Sequence, residues 1–132
     1  MNYNIYMNKL QYYIPGSLTT IEEEFCAKID VIAEQVQSVL EMRPADLHFT
    51  LNILPDAEAV RDTYVAIYGE AVDYVAFYSQ SRNAVYISPD KTSLRIIAHE
   101  FGHAVVENYF EVAPPVKVHE ILAQFAERQL TN

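Results

Sequence analysis

Within an apolar run over residues 94–106 lies His99-Glu100-Phe101-Gly102-His103, the pattern H-E-x-x-H, and no other stretch restricts the architecture as much. Two histidines at i and i+4 on a helix lie about 40° apart around the axis and roughly 6 Å along it, so both imidazoles can face one metal ion. Glu100 falls near the same side, where its carboxylate reaches a metal-bound water without ligating the metal. The surrounding residues require a helix that is buried nearly all round. Asp90, Thr92 or Ser93 can cap its start, Leu94, Ile97, Phe101, Ala104 and Val105 repeat at three and four residues, and Ile96 and Val106 carry apolar surface onto the histidine side. Histidines in such a setting need partners, so the rest of the chain has to bring them. Gly102, which in mid-helix costs about 1 kcal/mol against Ala, permits close approach of a neighbouring strand or helix.

The remainder is read as scaffold for that helix. Residues 1–17 are rich in Tyr and Asn, end in Pro15-Gly16, and read as an N-terminal arm or edge strand. A long helix is expected over 18–42, with Thr20 and Glu23 as a capping box and Phe25, Ile29, Ile32, Val36, Val39 and Leu40 as its apolar stripe. Arg43-Pro44 breaks it. Leu47, Phe49, Leu51 and Ile53 alternate with His48, Thr50 and Asn52, a half-buried strand that leaves His48 on the polar phase, away from any metal. Pro55-Asp56 opens a short helix over 57–68, and Gly69 closes it. Strands over 72–78 and 84–88 flank turn residues 79–83, a hairpin that leads into the H-E-x-x-H helix. Pro114-Pro115 presets a last helix over 116–130. The order predicts a single domain over 1–132 of α+β class. A small, largely antiparallel sheet packs on the long N-terminal helix, the H-E-x-x-H helix and the C-terminal helix.

Composition narrows the partners. A formal charge of −9 argues against a nucleic-acid backbone or an anionic membrane surface. Cys26 is the only cysteine, so no intramolecular disulfide forms and it reads as packing. No charged leader precedes an apolar segment and no run approaches a membrane span, which leads to the expectation of a cytoplasmic chain, taken as a monomer.

A catalytic zinc takes three protein ligands and keeps a fourth position for water. Glu107 is one turn past His103, but His99, His103 and Glu107 span about 12 Å of straight helix, too far to meet on one ion. The pattern H-E-x-x-H-x-x-G-x-x-H is absent, because Val106 and Tyr109 stand at its Gly and His positions. The last helix remains, and there Glu120 completes a His2Glu site, with His119 as the alternative ligand.

Together, His99-Glu100-Phe101-Gly102-His103 and Glu120-Ile121-Leu122-Ala123 resemble the gluzincin metallopeptidases. In that family a glutamate from a second helix is the third zinc ligand, often followed three residues later by a small residue. The resemblance covers residues 72–130 and implies a zincin-like fold with a hairpin before the active-site helix. The family's edge strand binds the substrate backbone, and Tyr86, Ile87 and Ser88 match it by position. The chain's size resembles the smallest gluzincin domains, and the pattern over residues 86–130 also resembles regulatory peptidases of the ImmA/IrrE type. Thermolysin-type gluzincins carry an asparagine before the ligand glutamate and an aspartate four residues after it, which orients a histidine. Those positions hold His119 and Gln124 here, and Gln124 can accept a hydrogen bond in the aspartate's place.

The expected activity is therefore hydrolysis of peptide bonds in a peptide or protein substrate, with Zn2+ held by His99, His103 and Glu120, and Glu100 as general base. Tyr109, His119, Tyr78 or Tyr86 would donate to the transition state. The alternative is a zincin-like domain that is non-catalytic or latent, with a metal-binding, protein-interaction or regulatory role. His119 as a closing fourth ligand would mark the first form, and the N-terminal arm lying over the cleft would mark the second.

Overall fold

In the computed structural model, the described residues are 2–6, 11–13, 20–45, 47–88 and 91–131. The alternation of Phe49 and Leu51 with polar neighbours forms β3 (His48–Ile53), with both apolar side chains fully buried. Asp56 then starts α2 (Ala57–Tyr68), its carboxylate accepting from the Ala59 N–H at 2.8 Å. Gly69 stops it in the left-handed region at φ 74°, donating its N–H to the Val65 carbonyl. The chain next runs out along β4 (Ala76–Ser79), turns at residues 80–83, and returns as β5 (Ala84–Ile87), which inserts between β3 and β4. The expected strand from 72 begins only at Ala76. Before it, Asp73 pairs with Arg61 and Tyr74 packs on Tyr64, both on α2.

Pairing β5 parallel to β3 makes the sheet mixed rather than largely antiparallel. The crossover through α2 is what permits a parallel pair. β1 (Asn2–Tyr6) and β2 (Gln11–Tyr13) extend the sheet beyond β3 by antiparallel pairing, so the order is β2-β1-β3-β5-β4. The strand part of the N-terminal arm therefore lies at the end of the sheet opposite β4. The Pro15-Gly16 turn, the Thr20–Glu23 cap, Phe25 and Cys26 packing, and Asp90 as a cap fall outside the described residues and side chains.

This topology corrects the placement of the edge. Tyr86 and Ile87 lie on an interior strand paired on both sides, Ser88 follows it, and all three are buried. β5 is an unbroken apolar run because both faces of the sheet are covered there. Val85 and Ile87 join the main core with α1 (Thr20–Leu40), α3 (Leu94–Tyr109) and α4 (Val116–Thr131), while Ala84 and Tyr86 join Val60 of α2 in a second cluster. The edge strand beside β5 is β4, with β2 at the other end of the sheet.

Ser93 caps α3, its side chain accepting from the Ile96 N–H. α3 packs most closely on α4. At Gly102 an added Cβ would stand 3.0 Å from the Ala123 Cα and 3.4 Å from its Cβ, so the glycine admits a neighbouring helix rather than a strand. Among the described residues, no helix is long and apolar enough to cross a membrane.

Gly102→Ala should lower stability to urea by up to about 2 kcal/mol, because overpacking against a backbone atom, about 1–3 kcal/mol, outweighs the roughly 1 kcal/mol gained in helix propensity. With Glu120 one turn from Ala123, metal affinity should fall with it.

Candidate metal centre

The i and i+4 spacing on α3 turns His99 and His103 to one side, their ring centroids 4.9 Å apart. α4, seated on Gly102, delivers Glu120 between them. One carboxylate oxygen lies 2.9 Å from His99 Nε2, the other 3.1 Å from His103 Nε2. One ligand atom from each residue falls within 4.8 Å of the others, so the group can hold a metal ion. Glu107 is not part of it.

Hydrogen bonds behind the ligands show why a cation belongs there. Glu127 on α4 approaches His99 Nδ1 at 2.8 Å, and Arg95 holds the other Glu127 oxygen at 2.7 Å. A carboxylate only accepts, so His99 Nδ1 carries the proton in this contact. The same logic runs through a longer chain on His103. His119 is buried, and its Nε2 lies 3.1 Å from Glu107 Oε2, which also accepts from Gln80 at 3.2 Å. A neutral His119 donating to Glu107 has its Nδ1 lone pair free, and it accepts from His103 Nδ1, 2.8 Å away. Both ligand histidines, when neutral, therefore aim an Nε2 lone pair at a carboxylate oxygen. Lone pairs facing at 3 Å repel unless a proton or a metal ion lies between them. Burial, with the neighbouring His99 charge, lowers the His103 pKa to about 4, which disfavours the proton. The donor set fits a divalent metal.

Glu100 is not a ligand. Its carboxyl is pushed up to about 8, chiefly by burial and then by the nearby Glu120 and Glu127 carboxylates, against a hydrogen bond with the Tyr78 backbone that lowers it. It lines one cleft with His99, His103, His119 and Glu120.

Several expected roles fall elsewhere. Gln124 accepts from Arg128 at 3.3 Å and orients no histidine; Glu127, seven residues after Glu120 on the same face of α4, takes that position. His119 is no fourth ligand, since both its ring nitrogens are engaged. Tyr109 lies exposed at the end of α3, edge-on to Phe110 and outside the cleft lining. Tyr78 lines the cleft, but its phenol packs against the main core and donates to Asn83 at 2.6 Å, and burial raises its pKa. Tyr86 is buried against Phe77. His48 sits on β3, outside the cluster. Glu127, Arg95, Glu107 and Gln80 were given no role by sequence reasoning. Only Glu127 carried a signal, its seven-residue spacing from Glu120.

The chain matches no protein-family model, no curated protein and no solved structure. Its chemistry has to be read from the site itself.

Glu127→Gln and His119→Phe should each weaken zinc binding about 10- to 100-fold in a competition titration, whereas Gln124→Ala leaves it unchanged. A second outcome follows from Glu100. In the metal-free protein its carboxyl stays protonated up to about pH 8, while in the unfolded chain it ionises near 4.5. The folded state therefore binds more protons across that window and loses stability as pH rises through it. Glu100→Gln should match the parent near pH 4.5 and exceed it by a few kcal/mol above pH 8, at roughly 1.4 kcal/mol per pKa unit, discounted for partial exposure. Urea unfolding of both proteins in chelator at the two pH values measures the difference.

Proposed function

We propose that this protein is a zinc-dependent metallopeptidase of gluzincin-like, zincin-like organisation that hydrolyses peptide bonds. The observation that carries this reading is Glu100 beside the His99, His103 and Glu120 group. A metal site that only braces a fold needs ligands, whereas this one has a non-ligating carboxyl in the same cleft, with a pKa lifted toward neutrality. Two nitrogens and one carboxylate suit zinc with one position left open.

Bound there, zinc supplies Lewis acidity toward water and toward the substrate carbonyl. The other parts of the reaction fall to the chain. Glu100 takes the proton of the attacking water and returns it to the leaving nitrogen, and the charge of a bound cation favours the ionised form that accepts the proton. Glu127 and the His119–Glu107 pair hold the two ligand imidazoles in the tautomer that presents Nε2. The substrate backbone lies along β4, the free edge bordering the cleft, by strand addition. Expected edge residues 86–88 are replaced in this role by Ala76–Ser79.

The test is zinc content and cleavage of a panel of unstructured proteins by the parent, Glu100→Gln and Glu120→Ala. Glu100→Gln should keep about one zinc and lose about 100-fold or more of the cleavage rate, within the range that general acid–base groups supply. Glu120→Ala should lose zinc. A zinc-loaded parent that cuts nothing would favour the non-catalytic reading.

A further inference from the structure

The cleft has a volume of about 400 Å³, and Tyr64, Tyr68, Tyr74 and Phe77 form an aromatic part of the wall that it shares with His99, His103 and Glu120. Tyr64 and Tyr68 stand one turn apart on α2 with centroids at 4.7 Å. Tyr74 meets Tyr64 edge-on at 5.3 Å, and Phe77 of β4 does so at 5.1 Å. Phe77 is stacked in turn on the buried Tyr86 at 4.9 Å and 21°. The Tyr68 hydroxyl is hydrogen-bonded to Ser79 at 2.9 Å. Every ring in the wall is held by at least one other, so little freedom remains to be lost when something binds. Yet Tyr68 and Tyr74 line the cleft and keep 42% and 47% of their surface open.

The peptidase reading does not use this wall, and its chemistry selects among side chains. An acidic one finds no lysine or arginine lining the cleft and meets Glu100 and Glu120. The nearby Arg61 is paired with Asp73. A basic one is drawn to Glu100 and gains a cation–π contact, but that contact is weak at rings half open to water and the charged group gives up hydration to reach it. An aromatic one buries apolar surface and adds edge or offset ring contacts, the larger gain. We propose that Tyr64, Tyr68, Tyr74 and Phe77 form a subsite for an aromatic residue of the peptide beside the bond to be cut. The proposal rests on the peptidase reading and names the substrate side chain that site prefers.

Binding of four amino-acid hydroxamates to the zinc-loaded protein, followed by calorimetry, tests the wall without turnover, since the hydroxamate anchors each probe on the metal. Phenylalanine hydroxamate should bind at least about tenfold tighter than glycine hydroxamate, a difference of about 1.4 kcal/mol, with arginine and glutamate hydroxamates near glycine. Tyr74→Ala should reduce the phenylalanine preference below about threefold at unchanged zinc content, and Tyr68→Leu gives the same readout should Tyr74→Ala fail to fold. Equal binding of all four, or arginine the tightest, overturns the aromatic subsite and leaves the peptidase standing. A zinc-loaded protein that binds none of them has no open metal position, and both readings fall.

Discussion

The contact on which this structure depends is the one between α3 and α4 at Gly102. An added methyl group there would stand 3.0 Å from the Ala123 backbone, so the two helices pack with no side chain between them. Ala98, Ala104, Ala123 and Ala126 are fully buried and keep the packing thin. Glu120 and Glu127 lie one turn on either side of that contact and are thereby carried to His103 and His99.

Charge is the second constraint. Three carboxyls and two imidazoles converge in a small volume, which is unfavourable in water-poor surroundings unless something positive compensates. Its signature in the metal-free protein is a pair of opposed shifts, with Glu100 pushed up to about 8 and His103 down to about 4. Both favour neutral groups. Neutral His103 is the form that ligates a cation, and a cation favours ionised Glu100, so the same crowding suits the group to a cation.

The sheet contributes placement rather than chemistry. Inserting β5 between β3 and β4 buries Val85 and Ile87 toward the three helices and Tyr86 toward α2, leaving β4 as the border of the cleft. α2, called up by the parallel crossover, then lends Tyr64 and Tyr68 to the cleft wall. One topological choice thus supplies both the edge strand and the aromatic surface of the cleft.

Local chemistry was legible in the chain because local rules govern it. The spacing of His99 and His103, the caps at Asp56 and Ser93, the stop at Gly69 and the limits of the last helix depend on neighbours within a few residues. Glu120 was reached by the reach of Glu107 along one helix and by the number of ligands zinc takes. What needed the tertiary structure is what depends on residues far apart in sequence. A strand's neighbours are set by a crossover, so Tyr86 to Ser88 read as an edge and proved interior. Second-row partners are set by how helices face one another, so Glu127 replaced Gln124 behind His99, and Glu107 reached His103 only through His119. The sequence by itself determined which groups can bind a metal, because that chemistry resides in side chains at helical spacing; only packing decided which carboxylate stands behind which histidine, because a shift of one residue around a helix turns a side chain through about 100°.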